Sequence, residues 1–123
     1  MFRPSHRELY KKIQEAKKAI AGGNVLIINQ ESVAADALEL GYLIESELFS
    51  ILQELLGATA PKHYAGSRPP QKSYAREIEG LELFAFVVES SRFKCRVYYK
   101  FALVAGFVWL VSLHQDRGKR GNS

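Results

Sequence analysis

Apolar positions follow helical spacing through the first half of the chain and switch to alternation in its last third. Leu9, Ile13, Ala16 and Ile20 recur one helical turn apart, which predicts an amphipathic helix from Ser5 to Ala21. Ser5 is placed to cap it with Glu8 three residues on, and Gly22 and Gly23 stop it. Val25 to Ile28 is a short apolar run, either a strand or a buried connection. Ser32 opens a second predicted helix that ends at Gly41, and a third runs from about Ile44 to Leu56 before Gly57. Neither of these two helices shows chemistry of its own, so both are read as packing elements for a sheet. Residues 58–73, ATAPKHYAGSRPPQKS, are rich in Pro, Gly and Ser and predict a loop. Ala75 to Ile78 leads into a strand from Leu81 to Val88, whose two faces are both largely apolar, as expected of a strand in the middle of a sheet.

The most organised stretch is Phe93 to His114, FKCRVYYKFALVAGFVWLVSLH. Period-2 alternation puts Phe93, Cys95, Val97, Tyr99 and Phe101 on one face of its first arm, with Lys94, Arg96, Tyr98 and Lys100 on the other. After a turn at Val104, Ala105 and Gly106, the second arm puts Phe107, Trp109, Val111 and Leu113 on one side, with Val108, Leu110, Ser112 and His114 on the other. On that pattern Trp109 belongs to the core, and the hairpin carries a cationic shelf of Lys94, Arg96, Tyr98, Lys100 and His114. The expected fold is α+β, with N-terminal helices packed on one face of a small, mainly antiparallel β-sheet. It divides into a helical part (1–57), a basic loop (58–80), a sheet (81–114) and a flexible tail (115–123), all one domain.

Composition sharpens this picture at two points. The net charge of +4 is unevenly spread: residues 1–61 carry 6 Lys/Arg and 8 Asp/Glu, whereas residues 62–123 carry 11 and 5. A basic C-terminal half suits a polyanion or an acidic protein partner. Lys62, His63, Tyr64, Arg68 and Lys72 give the loop the character of a segment that wraps a nucleic-acid strand, and Arg117 adds charge beyond the last strand. The lysines of the first helix, Lys11, Lys12, Lys17 and Lys18, are read as a solvated face. A single cysteine, Cys95, excludes an internal disulfide and reads as a small buried hydrophobe. No apolar run is long enough to span a bilayer and no secretion signal is visible, so a cytoplasmic location is the expectation. Phosphate-binding glycine loops, HExxH and paired-cysteine metal sites are absent, and His6, His63 and His114 are scattered. No metal and no cofactor is expected.

Several short segments resemble the RelE superfamily of toxin ribonucleases from type II toxin-antitoxin systems, and within it the MqsR branch. Asp36 to Leu56, DALELGYLIESELFSILQELL, is similar to that branch's aspartate and Leu-Gly followed by a helix. Arg96 to Lys100 (RVYYK) and Val111 to His114 (VSLH) are similar to its closing strands. The resemblance covers roughly residues 8–117. It implies a RelE-like fold and a cytoplasmic mRNA interferase, a hydrolase acting on RNA, ribosome-bound mRNA included, and restrained by a cognate antitoxin protein. Tyr98 falls on a functional tyrosine of the branch and His114 on its catalytic lysine. Arg96 and His114 also match, in order and spacing, an arginine and a near-terminal histidine used by other members of the superfamily. Two family features are missing: Ala65 stands where a lysine follows an aromatic pair, and no glutamine occupies the preceding strand.

The chemistry implied is metal-independent cleavage, in which the 2′-hydroxyl of the RNA attacks the adjacent phosphorus. The protein then has only protons and charge to manage. An imidazole titrates near ~6.5 in model peptides, which suits His114 to proton transfer. Arg96 presents a planar fork to phosphate oxygens, and Tyr98 positions the 2′-hydroxyl, stacks on a base or relays a proton. Lys94, Lys100, Lys62, Arg68, Lys72 and Arg117 are expected to hold RNA. The same shelf equally suits a non-enzymatic module that binds nucleic acid or an acidic protein.

Overall fold

A computed structural model of the chain describes residues 4–67 and 70–117. The capping box at Ser5 forms as expected: the Glu8 N–H donates to Ser5 Oγ at 3.1 Å and the Ser5 N–H donates to Glu8 Oε1 at 3.0 Å. These bonds satisfy donors that every helix start leaves without intrahelical partners. Helix α1 spans His6–Ala21 and buries Leu9, Ile13, Ala16, Ala19 and Ile20. Strand β1, Val25–Ile27, follows, and then helix α2, Gln30–Leu40. The cap of α2 is Asn29, three residues before the expected cap Ser32, because its Oδ1 accepts from the Ser32 N–H at 3.3 Å. Ser32, expected to be the cap, is thereby placed inside the first turn. Gly41 ends the helix with a φ of 85°, a left-handed conformation open to glycine at little cost. Helix α3 runs Ile44–Gly57 and buries Leu48, Ile51, Leu52, Leu55 and Leu56.

The remaining strands are β2 (Phe84–Ser90), β3 (Cys95–Val104) and β4 (Phe107–Gln115), and the four-stranded sheet has the order β1-β4-β3-β2. β1 runs parallel to β4, and the other two pairings are antiparallel. The architecture is α+β, with three helices packed against one face of a mainly antiparallel sheet. That inner face contributes Phe86, Tyr99, Phe101, Leu110 and Leu113 to a core shared with Leu9, Ile13, Ile51 and Leu52. β1 is short: the Ile28 N–H donates to Leu110 O at 2.9 Å, Asn29 turns the chain, and α2 packs against β4.

Several expectations about the sheet are corrected. β2 is an edge strand, although its residues from Phe84 to Val88 are buried on both sides. The reason is the basic loop, which runs along it with bridges Tyr64 to Phe86 and Lys72 to Glu82. A single turn of 3₁₀ helix, Arg76–Ile78, stands where the chain was expected to enter the strand. It places Ile78 in a second, smaller apolar cluster on the outer face, with Leu83, Ala102, Trp109 and Val111. Trp109 therefore belongs to this outer cluster and not to the main core. The sheet also reaches one residue past His114, to Gln115, and the Asp116 N–H donates to Arg96 O at 2.8 Å, so the start of the expected flexible tail is bonded to β3. The rest of that tail, residues 118–123, lies outside the described residues.

Candidate functional site

One irregularity decides which side chains share the outer face. β3 and β4 pair as Tyr98 with His114, Tyr99 with Leu113 and Lys100 with Ser112, and then the register shifts so that Phe101 faces Leu110. Val111 is the extra residue of a β-bulge, and a bulge resets the alternation of everything beyond it. Val108 and Leu110 thus point into the main core on one side of the bulge and Leu113 on the other, while Ser112 and His114 face outward. Unbroken alternation cannot give this result: it brings His114 outward only together with Val108 and Leu110. Arg96, Tyr98 and Lys100 alternate with the buried Val97, Tyr99 and Phe101, so all three lie on the outer face with His114.

The polar groups on this face are already organised. The Tyr98 ring and the His114 imidazole stack with centroids 5.0 Å apart and planes 17° from parallel. His114 Nδ1 lies 2.8 Å from Gln115 O, which commits its proton to that carbonyl. Arg117 Nη1 lies 2.9 Å from Nε2 and 3.1 Å from Nδ1, so the guanidinium sits against the imidazole and not on the lone pair of one nitrogen. Arg117 reaches on to Asp36 of α2, with Nη2 3.7 Å from Oδ1. Arg96 lies 3.5 Å from the carboxylate of Asp116, which is only 4% exposed while Arg96 itself is 57% exposed. Such a face can hold a phosphate with its guanidinium groups and can take up a proton at an imidazole nitrogen.

The basic loop adds a wall. Pro61–His63 form a turn of 3₁₀ helix, and the Ala60 N–H donates to His63 Nδ1 at 2.9 Å. Burial, and then the neighbouring Lys62 ammonium, hold the His63 pKa below the usual imidazole range. The neutral ring therefore carries its proton on Nε2. Beyond it the chain curls over Tyr64, whose O–H donates to Ser67 O at 2.7 Å. Gly66 sits so close that a Cβ there would lie 2.5 Å from the Tyr64 hydroxyl, which is why no larger residue fits without rearrangement. Lys62, His63, Gly66, Ser67, Val87 and Arg96 line an open depression of about 640 Å³.

Lys62 and Arg96 therefore meet at one depression, and Lys100 and Arg117 flank the stacked pair. Lys94 does not join them: with φ 58° it belongs to the turn before β3, so the alternation that grouped it with Arg96 stops short of it. Lys72 also stands apart, since it bridges to Glu82 whereas Arg96 pairs with Glu89, roughly 20 Å further along the strand direction. Arg68 lies outside the described residues. Asp36 and Asp116 are absent from the set of residues expected here, and His63 was expected only as part of the loop that wraps a nucleic-acid strand. The one available signal for His63 was Pro61 opening a tight turn with a histidine three residues after Ala60. Among the described residues no cluster of His, Cys, Asp or Glu could hold a metal ion, and no helix is long and apolar enough to cross a membrane.

Fold and site together define an α+β protein with an open, basic outer sheet face on which an arginine, a tyrosine and a histidine converge. No protein-family model matches the chain, and a search of curated proteins finds no match.

Proposed function

We propose that the chain is a metal-independent endoribonuclease of the RelE type, the toxin of a type II toxin-antitoxin pair, acting on mRNA with the outer face of β3 and β4. The observation that carries this reading is the register shift at Val111, which puts His114 beside Tyr98 and on the face of Arg96 and Lys100. In the reaction the 2′-hydroxyl attacks phosphorus and gives up its proton to His114 Nε2, once Arg117 moves from the imidazole to the phosphate. Arg96 stabilises the charge that gathers on the phosphorane oxygens. The 5′-oxygen leaves with a proton from Tyr98 or water, giving a 2′,3′-cyclic phosphate and a 5′-hydroxyl. Lys62, Lys100 and Arg117 hold the flanking phosphates, and a cognate antitoxin covers the basic face.

The test is incubation of the purified chain with mRNA, followed by end-group analysis and by growth curves of bacteria expressing it. Arg96→Ala and His114→Ala should each lower cleavage by about 100-fold or more and relieve growth arrest. Wild-type rates in both variants would sink the site. A second reading is favoured by the pairing already present: Arg96 is engaged by Asp116, and both His114 nitrogens are engaged by Gln115 and Arg117. Such a face could bind nucleic acid or an acidic protein without reacting. That reading expects salt-sensitive binding with RNA left intact.

A further inference from the structure

The depression beside the basic loop joins Lys62 and Arg96 to two residues that the cleavage chemistry does not use, His63 and Val87. Val87 forms part of its floor, and Val87, Tyr98 and His114 are cross-strand partners in one row running over β2, β3 and β4. Neighbouring strands lie about 4.8 Å apart, so the floor is roughly 10 Å from His114, on the order of one nucleotide of stretched single strand. One flank of the depression is cationic, with Lys62 and Arg96, and the other is backbone bared by Gly66. His63 stands at the rim with Nδ1 tied to the Ala60 N–H, which leaves Nε2–H as its free polar group among the described residues.

From this arrangement we infer that the depression is a nucleotide subsite next to the reacting phosphate: Lys62 holds the flanking phosphate beside Arg96, and His63 Nε2–H reads an acceptor on a base laid over Val87. The inference rests on the proposed function and deepens it by naming how one base is selected. Single-stranded RNA is read through splayed bases hydrogen-bonded at their edges, and a pocket of this size holds one of them. Neutral His63 offers one donor and no acceptor at this site, so a base edge presenting an acceptor is preferred over one presenting only a donor. Lys62 supplies charge without choice of base. The curl at Gly66 keeps the wall low enough for the base to enter.

The two roles separate in a binding experiment on the full chain. The probes are 12-nucleotide 2′-O-methyl RNAs that differ in a single base; the methyl group removes the nucleophile, so binding is read without turnover. Lys62→Ala should weaken all probes alike and reduce the slope of log affinity against log salt by about 0.7 to 1. His63→Asn keeps an oxygen able to accept from the Ala60 N–H but has no Nε2–H. It should leave the salt slope unchanged and compress the ratio between the best and worst base by about 3- to 10-fold. An unchanged salt slope in Lys62→Ala, or an unchanged base ratio in His63→Asn, overturns the subsite even if unmodified RNA is still cleaved to cyclic phosphate ends. Failure of the wild-type chain to bind any probe overturns the subsite and the ribonuclease reading together.

Discussion

Tyr99 and Thr59 provide the sharpest quantitative test of how the sheet is tied to the helices. Tyr99 is 0% exposed and its hydroxyl lies 2.6 Å from Thr59 Oγ1, which in turn lies 2.6 Å from Leu55 O near the end of α3. The single proton of Thr59 goes to that carbonyl, so Tyr99 is the donor in the pair. Tyr99→Phe removes that donor but leaves the ring contacts with Phe86 and Phe101, both at 5.9 Å, and opens almost no cavity. The expected cost is about 1 kcal/mol, the net value of one such bond. Thr59→Val keeps the outline of the side chain, and Leu55 O still accepts from the Ala58 N–H at 3.1 Å. It strands the Tyr99 hydroxyl in the core, a desolvation cost of about 1–3 kcal/mol. In the double variant nothing is stranded, so its cost should fall short of the sum by about 1 kcal/mol or more. Urea denaturation of the four proteins measures this directly, with equal m-values as the control. Additive effects within about 0.3 kcal/mol would show that the hydroxyl pair does not hold the end of α3 to the sheet.

Three further outcomes follow from local geometry. Ala105 has φ 51° in the two-residue β3–β4 turn, where Gly106 has φ 81°; Ala105→Asn creates the Asn-Gly pair that such turns favour and should raise stability by about 0.5–1 kcal/mol in the same denaturation assay. Arg92 hydrogen-bonds Glu54 at 2.8 and 2.6 Å and holds its carboxyl below the usual range, so this contribution is present above pH ~4.5 and fades as Glu54 is protonated; Arg92→Ala should flatten the melting temperature against pH in that acid range. Burial, and then Asp36, push Tyr42 up to about 12, and burial raises Tyr99 as well, so both favour folding below pH ~10 and oppose it as the solution becomes more alkaline. Absorbance at alkaline pH should show a late-ionising tyrosine fraction that follows unfolding and shrinks by one tyrosine in Tyr99→Phe.

Where local chemistry decides structure, the sequence was readable. Ser5 and Glu8 form the capping box their spacing implies, and Gly41 ends α2 in the left-handed conformation. What it hid depends on contacts between distant segments. Val111 is an ordinary β-branched strand residue with nothing to mark a bulge, so continuous alternation gave Trp109 the wrong face and grouped His114 with Val108 and Leu110. β2 resembled a central strand because both of its faces are apolar, yet the cover comes from a loop whose composition announced only irregularity. Asn29 displaced Ser32 as a cap because both residues can serve and only the path out of β1 chooses between them. Arg96 and Asp116, 20 positions apart, meet because the chain leaves β4 back across the start of β3.

The outer face divides into a dry end and a wet end, and the bulge lies between them. Ala102 is buried with Ile78 and Leu83, and Trp109 and Val111 pack half-buried against them, while Arg96, Tyr98 and His114 stay more open. A ladder without the shift would have to put Val108 and Leu110 into water or turn His114 toward the core. Either alternative costs more than one unpaired residue in the β3–β4 ladder, because two aliphatic side chains or one buried imidazole must be accommodated. The same residue that permits the apolar core to continue along β4 therefore delivers the polar set to solvent. Fixing that set also requires its supports to be stiff, and they are tied from two directions: Arg92 joins the turn before β3 to Glu47 and Glu54 of α3, and Tyr99 joins the strand itself to Thr59. Thr59 directly precedes the Ala60 to His63 segment, so the anchor beneath β3 also sets the wall of the depression above it. Loosening that anchor should disturb the rim of the depression and the outer face of Arg96, Tyr98 and His114 together, even though Tyr99 points away from both.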